Sequence, residues 1–184
     1  MEEQKTNELW VNQFFNQEHE LFFQFQEEAE YPDTISSFAL SHHGYIISIG
    51  FSTGEIFACD SRNFCNKHEY TTHKGEVTAI SFSRDSLHLA SGDKAGFFQI
   101  HNVVIGVIEY TNTFSSPIKS IISSSFDVHV FLILLADGSL FLFNLKTETC
   151  NSIDQKFSSI VWGNDAQSFI GGFKREVIFC QIDE

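Results

Sequence analysis

The chain has 184 residues, of which 24 are acidic and 11 basic, so its net charge at pH 7 is −13. A hydrophobic content of 42% with 19% charged residues is enough to build a core, which excludes a disordered chain of low hydrophobicity. The acidic balance excludes a basic nucleic-acid-binding protein, and we expect no direct contact with DNA or RNA. The 21 phenylalanines are well above average usage.

The first 33 residues are expected to form an acidic extension. Residues 1–30 carry eight acidic residues and a single basic one, Lys5. This segment is either a solvated lead-in or a patch for a basic partner. Within it, residues 7–15 have apolar side chains at helical spacing and are a candidate short helix. The apolar run at 21–25 is a candidate strand that could complete the outer edge of a last blade.

The sequence favours a soluble, intracellular protein. Residues 1–7 are polar and acidic, whereas a signal peptide begins with a basic and then an apolar region. The most apolar segment, His129–Leu145, is shorter than the roughly 20 residues of a membrane-spanning helix. Asp137-Gly138 lies at its middle, and this dipeptide between apolar runs is typical of a β-hairpin turn. We therefore predict a hairpin here and expect no membrane contact.

One group of cysteines and histidines has a spacing that could suggest zinc. Cys59, Cys65, His68 and His73 follow the pattern C-x5-C-x2-H-x4-H. The gap between the cysteines is wider than in ordinary zinc knuckles, and two of these residues fall on predicted strands. We expect no metal site, and we interpret these cysteines, like Cys150 and Cys180, as buried or surface thiols.

A pattern repeats along the chain at an interval of 42 residues. Its three clear copies, 53–60, 95–102 and 137–144, each have a glycine at the second position and Asp or Asn at the last. The glycines are Gly54, Gly96 and Gly138, and the terminal polar residues are Asp60, Asn102 and Asn144. A weaker fourth copy covers 175–181. We interpret the terminal Asp and Asn as residues that bond the turn after a strand.

Short apolar and alternating segments around each copy predict strands. In the first copy these are Ile35–Leu40, Tyr45–Ile49, Glu55–Cys59 and Phe64–Tyr70. In the second they are Val77–Phe82, Leu87–Ser91, Phe97–His101 and Gly106–Tyr110. In the third they are Ile118–Ile122, Val130–Leu135, Ser139–Leu145 and a weak strand near Thr149. The fourth copy has only Phe157–Trp162, Ser168–Gly171 and Val177–Ile182.

Four short strands in every ~40–45 residues are typical of a β-propeller blade. We predict an all-β fold, a partial propeller of about four antiparallel blades with the last one incomplete. The expected domains are an extension at 1–33 and the propeller at 34–184, with blades at about 34–72, 73–113, 114–154 and 155–184. Phenylalanine rings are expected to fill the spaces between blades, and terminal blades to leave strand edges unpaired.

Residues 73–92 resemble the first half of a WD-repeat, with a histidine, a V-x-x-I-x-F-S strand and an L-A-S-G strand. In WD-repeats this histidine, a Ser or Thr on the second strand, a turn Asp and a third-strand Trp form a hydrogen-bonded tetrad. On this resemblance the four places of the second repeat are held by His73, Ser91, Ala95 and His101. The places of the turn Asp and the third-strand Trp are held by Thr53 and Cys59 in the first repeat and by Asp137 and Phe143 in the third. The tetrad is therefore expected to be eroded, and the blades to depend on apolar packing.

Residues from about 20 to 150 resemble a particular WD-repeat family. The acidic lead-in 25–32, the segment 44–60 and the element Phe114-Ser-Ser-Pro-Ile-Lys119 follow the order seen in the amino-terminal half of the retinoblastoma-binding protein 5 family. Members of that family are WD-repeat subunits of COMPASS-type histone methyltransferase complexes. The resemblance implies a scaffold subunit in the nucleus, acting on chromatin, with SET-domain and SPRY-domain subunits as partners.

Two departures from this family affect what the resemblance implies. Family members have about seven blades and meet nucleosomes through basic loops, whereas this acidic chain reaches only into a fourth blade. Activation of a methyltransferase by this polypeptide alone is therefore not expected. The alternative function is a generic WD-repeat adaptor for protein–protein interaction in a cytoplasmic complex.

The sequence offers no motif for catalysis. It contains no nucleophile elbow, phosphate-binding loop, dinucleotide fingerprint or zinc-protease helix motif. The eight histidines are scattered along the chain. We predict a protein that is not an enzyme and has neither a cofactor nor a small-molecule substrate, and the sequence leaves the partner-binding residues unassigned.

Overall fold

Antiparallel strands form the regular structure of the chain. The computed structural model describes residues 31, 33–65, 68–71, 73–163 and 168–182. The predicted helix at 7–15 and the predicted closing strand at 21–25 lie outside these residues. Across the part of the chain that the structure describes, no helix has the length and apolar character needed to cross a bilayer.

The strands pair into four sheets that follow chain order. The first sheet contains β1 (Ile35–Leu40), β2 (Ile46–Phe51), β3 (Glu55–Asp60) and β4 (His68–Thr71). The second contains β5 (Val77–Phe82), β6 (His88–Asp93), β7 (Phe97–Asn102) and β8 (Val107–Thr113). The third contains β9 (Ile118–Ser123), β10 (Val130–Leu135), β11 (Ser139–Asn144) and β12 (Thr149–Lys156). The fourth contains β13 (Ser159–Trp162), β14 (Ser168–Phe173) and β15 (Glu176–Gln181).

The four sheets are the blades of a partial β-propeller. Within each sheet, consecutive strands are hydrogen-bonded neighbours and run antiparallel. The first strands of the first three sheets lie beside one another, since β5 contacts both β1 and β9. Among the described residues the fourth blade has three strands and not four. The predicted fold class, an all-β partial propeller with an incomplete last blade, is confirmed.

Most predicted strands differ by one to three residues at an end from those in the structure, and the start of β4 differs by four. The segment predicted as Phe64–Tyr70 becomes a strand only at His68, because Phe64 adopts a φ of 53°, a left-handed turn conformation that ends extended structure. Phe157 precedes β13 instead of starting it, since its N–H donates to the carbonyl of Gly138 in the preceding sheet. The weak strand expected near Thr149 is the eight-residue β12.

The most apolar segment of the chain is the β10–β11 hairpin. Leu132 pairs with Leu142 across the two strands. The N–H of Gly138 donates to the carbonyl of Leu135 at 3.0 Å and closes the turn. The predicted hairpin at Asp137-Gly138 is confirmed. Its strands are apolar on both faces because a neighbouring sheet covers each face.

Three apolar clusters fill the spaces between successive sheets. The cluster between the second and third sheets includes Phe98 and Phe143, whose ring centroids lie 5.4 Å apart in an edge-to-face arrangement. The cluster between the third and fourth sheets includes Phe157 and Phe169, with centroids 5.8 Å apart. Each fully buried ring contributes about 1.5–3 kcal/mol of transfer free energy. These phenylalanines fill the spaces between blades, as predicted.

The repeated glycine lies where one blade touches the next. The backbone angle φ is positive at all three positions, Gly54, Gly96 and Gly138. A Cβ atom added at Gly96 would lie 2.5 Å from the carbonyl oxygen of Phe114, and one at Gly54 would collide with the carbonyl of His73. Both carbonyls belong to residues that lead into the following sheet. Contacts of this kind therefore recur along the sequence with the 42-residue spacing of the glycines.

We expect Gly96→Ala to destabilise the protein far more than Gly106→Ala. Both glycines have positive φ, and an alanine in that conformation costs about 1 kcal/mol. Gly106 has no atom within 4 Å of an added Cβ, whereas at Gly96 the Phe114 carbonyl must also move. We expect a loss of about 1 kcal/mol for Gly106→Ala and at least about 2 kcal/mol for Gly96→Ala, measured by urea unfolding. Equal losses would contradict the contact between blades.

Candidate functional site

A network of buried polar side chains lies at the start of the second sheet. Nε2 of His73 lies 2.8 Å from Oγ of Ser91, and Nδ1 lies 3.2 Å from Oδ2 of Asp93. All three residues are buried. Because a carboxylate only accepts, Nδ1 carries the proton and Nε2 accepts from the serine hydroxyl. Burial lowers the pKa of His73 in spite of the opposing effect of Asp93, so the imidazole is neutral near pH 7.

The carboxylate of this network comes from Asp93, which corrects the expectation that an alanine had replaced it. The WD-repeat pattern assigns the Asp place to Ala95. In the structure β6 continues through Asp93, whose Oδ1 accepts the N–H groups of Ala95 and Phe97, each at 2.8 Å. One carboxylate therefore closes the β6–β7 turn and also fixes His73, from a position two residues earlier than the pattern predicts.

His101 occupies the Trp place on β7 but adds no hydrogen bond to the network. Neither of its ring nitrogens has a partner among the described residues, although the side chain is buried. Its ring packs against Tyr70 with centroids 4.8 Å apart. Burial, reinforced by the nearby His73, lowers the pKa of His101 to about 4. The neutral ring therefore acts as a packing group.

Aromatic rings replace the histidine in the first and third sheets. Tyr31, which lies 42 residues before His73, packs on Phe51 with ring centroids 5.3 Å apart. Its hydroxyl lies 4.0 Å from Sγ of Cys59, and burial, with Cys59 beside it, raises the pKa of Tyr31 to about 12. In the third sheet the buried ring of Phe114 takes this place. Tyr31 was not predicted from the sequence, although the 42-residue interval from His73 indicates its position.

Asp137 does not join a buried network, although it holds the Asp place of the third repeat. Its carboxylate is exposed and accepts from Nζ of Lys156 at 2.7 Å and from the hydroxyl of Ser139 at 2.8 Å. These hydrogen bonds lower its pKa to about 2. Phe143, at the Trp place, is buried in the apolar cluster between the second and third sheets. The third sheet thus has a turn carboxylate without a histidine to bind.

The polar residue that ends each repeat accepts a hydrogen bond from the backbone two residues later. The donors are the N–H groups of Arg62, Val104 and Lys146, at 2.9, 3.0 and 2.9 Å from the side-chain oxygens of Asp60, Asn102 and Asn144 respectively. The Arg62 guanidinium also lowers the pKa of Asp60 to about 2. The turns after the third strand are therefore held alike in the first three sheets.

The candidate zinc residues have separate environments. Cys59 is buried on β3, Cys65 is exposed in the following turn, and both ring nitrogens of His73 are hydrogen-bonded within the polar network. Within the ranges that the structure describes, no three potential metal ligands form a cluster. No disulfide joins the cysteines, all of which are described.

A groove of about 320 Å³ crosses the inner strands β1, β5 and β9. Side chains link these strands to the next sheet through carbonyl oxygens. Oγ of Ser36 donates to Val77 at 2.7 Å, Oγ1 of Thr78 to Ile118 at 2.5 Å, and Nζ of Lys119 to Ser158 at 2.6 Å. The three donors stand 41 or 42 residues apart in sequence. The groove is therefore the wall of the propeller channel, and its polar groups hold the blades together.

The two ends of the array present apolar side chains to solvent. On the first sheet these are Ile35, Phe38 and Leu40, which we call the leading face. On the fourth sheet they are Val161, Ile170, Val177 and Phe179, which we call the trailing face. Exposed patches of this kind mark sites of protein association. They are candidate surfaces for association with another polypeptide.

Comparisons with known proteins identify the fold. No protein-family model and no curated protein matches the sequence. The β-propeller domain of Myceliophteria thermophila Cps50 (Swd1) matches with a TM-score of 0.67 and 14% identity, over 75% of this chain and 48% of that chain. A chain of a mitotic checkpoint complex matches with a TM-score of 0.68 and 18% identity, over 80% of this chain and 49% of its own. The fold is a partial WD40-type propeller, and the chain spans about half the length of these solved structures.

We expect Asp93→Ala to be strongly destabilising and Asp137→Ala nearly neutral. The first change removes the acceptor of the buried His73 ring and of two N–H groups in the β6–β7 turn, which costs about 3 kcal/mol or more. The second removes an exposed ion pair, worth less than about 1 kcal/mol. Urea unfolding at pH 7 measures both. A small loss for Asp93→Ala would show that the network contributes little.

The stability of the protein should fall as the pH is lowered from about 6.5 to about 4. In this range the unfolded chain protonates His101, whose ordinary pKa is 6.5, while the folded chain, with a pKa of about 4, does not. Each such histidine contributes a slope of up to about 1.4 kcal/mol per pH unit. His101→Phe removes this contribution and two unpaired ring nitrogens, so we expect a smaller slope and no loss of stability at pH 7. Equal slopes in wild type and variant would contradict the assignment.

Proposed function

We propose that the chain is a non-catalytic scaffold that binds other proteins. The observation that carries this proposal is the set of apolar side chains that the blades leave exposed, both at the ends of the array and in the turns between the first and second strands, where Tyr45, Leu87 and Phe126 are exposed. The buried ionisable groups support it, because His73 and Asp93 bond one another and the β6–β7 turn instead of opening into a cavity. The rigid blades would serve to hold their edges and loops in fixed positions for a partner.

The specific scaffold that we propose is a WD-repeat subunit of a COMPASS-type histone methyltransferase complex, acting on chromatin in the nucleus. The resemblance of residues 20–150 to that family supports the proposal. Its most distinctive element, 114–119, leads into β9: Phe114 and Ile118 are buried, and the carbonyl of Pro117 accepts the N–H of Ala136 at 2.8 Å. The element is therefore part of the framework of the third blade, and we take it as a marker of family and not as a contact surface.

The charge of the chain favours protein partners over the nucleosome surface. A net charge of −13 opposes binding to the phosphate backbone. In such a complex we expect the chain to contact SET-domain and SPRY-domain subunits, and basic segments of other subunits to meet the DNA.

The proposal predicts that the full chain co-purifies with SET-domain and SPRY-domain subunits encoded in the same genome. Co-expression of the tagged chain with these subunits, followed by size-exclusion chromatography, should yield one stoichiometric complex. Asp137→Ala, which keeps the fold, should bind like the wild type, whereas Asp93→Ala should bind less in proportion to its unfolded fraction.

Two results would contradict the COMPASS-type assignment. One is failure of the purified subunits to bind the folded chain. The other is recovery from cells of trafficking or ubiquitin-ligase components alone, which would favour the cytoplasmic adaptor. Either result leaves the scaffold proposal to be judged by whether the chain binds any other protein through its exposed surface.

A further inference from the structure

Several of the exposed residues at the two ends occupy positions that are buried in other blades. Phe179 on β15 is 64% exposed, while its equivalents in the first and second sheets, Ala58 and Ile100, are buried. Val177 is 80% exposed, while Ile56, Phe98 and Leu140 are each 0% exposed. In the internal blades these positions pack against the following sheet. The trailing face is therefore the unfilled half of a junction between blades.

The leading face is the other half of the same junction. Phe38 on β1 is 71% exposed, whereas its equivalents Ile80 and Ile121 are buried against the preceding sheet. Leu40 is 56% exposed, whereas the equivalent Phe82 is 3% exposed. The chain builds this junction three times internally, with trailing positions of one sheet against leading positions of the next. Two complementary halves remain, one at each end.

We propose that the two faces are covered by a second copy of this chain, joined head to tail. The trailing face of each copy packs on the leading face of the other, so two equivalent junctions close a ring around a two-fold axis. The ring contains eight blades, the upper end of the usual range of four to eight. This arrangement continues an interface already present within the chain.

The hydrogen bonds of the inner strands support the same head-to-tail arrangement. At two of the three internal junctions a hydroxyl, from Ser36 or Thr78, donates to a carbonyl of the next sheet's inner strand. Ser158 stands at the equivalent place before β13, and its Oγ lies 2.7 Å from the carbonyl of Gly172 in its own sheet. Ser36 makes the same contact with Gly50 at 3.1 Å. In the ring, Ser158 lies beside the carbonyl of Ile35 of the second copy.

Charge complementarity also favours this partner. The turns containing Gly54 and Gly96 touch carbonyls that lead into the next sheet, at 73–75 and 114–116. The corresponding turn of the fourth sheet is Lys174-Arg175, which is one residue shorter and basic. Its counterpart in the second copy includes Asp33, 42 residues before Gly75. A basic turn on the trailing side thus meets a carboxylate on the leading side.

The test is the mass of the full chain in solution, measured by analytical ultracentrifugation over a range of concentrations. We expect a species of twice 20.9 kDa that dissociates on dilution. Phe38→Asp and Phe179→Asp should each raise the dimer Kd by about 100-fold or more, because a charge then faces an apolar junction. Val104→Asp is the matched control. Val104 is 71% exposed in the turn after β7, away from both faces, and this variant should leave Kd unchanged.

Mixing the two face variants distinguishes the head-to-tail dimer from other modes of self-association. A mixed pair contains one intact junction, so equal amounts of Phe38→Asp and Phe179→Asp chains should form a heterodimer at concentrations where each alone is monomeric. Circular dichroism must show that both variants are folded. A wild-type monomer at all concentrations, or an effect of only one face variant, would overturn the proposal, as would an open-ended polymer. The result does not depend on the identity of any other partner, so it is independent of the COMPASS-type assignment.

Discussion

The structure depends on one requirement, that each internal sheet is packed on both faces by its neighbours. This requirement explains why β10 is apolar along its whole length, since neither of its faces reaches solvent. It also explains why rings such as Phe98 and Phe143 lie between the blades, where a large planar side chain fills the space between two twisted sheets. The turn glycines follow from the same requirement. At these turns the backbone lies so close to a carbonyl leading into the next sheet that a Cβ atom does not fit.

Hydrogen bonding varies between blades, while the apolar framework stays the same. The second blade buries His73, Ser91 and Asp93 as a satisfied network, whereas the first and third place Tyr31 and Phe114 at the position of the histidine. A buried network adds stability only when every donor has an acceptor, and a ring of similar size can replace it without that condition. The same position is thus stabilised by a hydrogen-bonded network in the second blade and by a packed aromatic ring in the first and third.

The repeat made most of the fold predictable, because its interval fixes which segments share a sheet and where each turn lies. The β10–β11 hairpin followed from Asp137-Gly138 alone. The role of Asp93 could not be predicted by alignment, since a carboxylate at either end of the β6–β7 turn can reach the histidine, and only the backbone path decides which does. The start of β4 depended on the left-handed conformation of Phe64, which a bulky side chain rarely adopts. Which apolar residues are exposed depends on whether a neighbouring sheet is present, so Phe38 and Ile80 could not be distinguished from their own sequences.

The inner-strand links from Ser36, Thr78 and Lys119 have a consequence for the order of folding. Each reaches a residue 39 to 41 positions later in the chain, about one blade away. A blade can therefore pair its own strands by local hairpins as it is synthesised, but its inner edge is secured only when the beginning of the next blade has left the ribosome. We therefore expect assembly from the amino terminus in steps of one repeat, with the contacts that complete one blade supplied by the next.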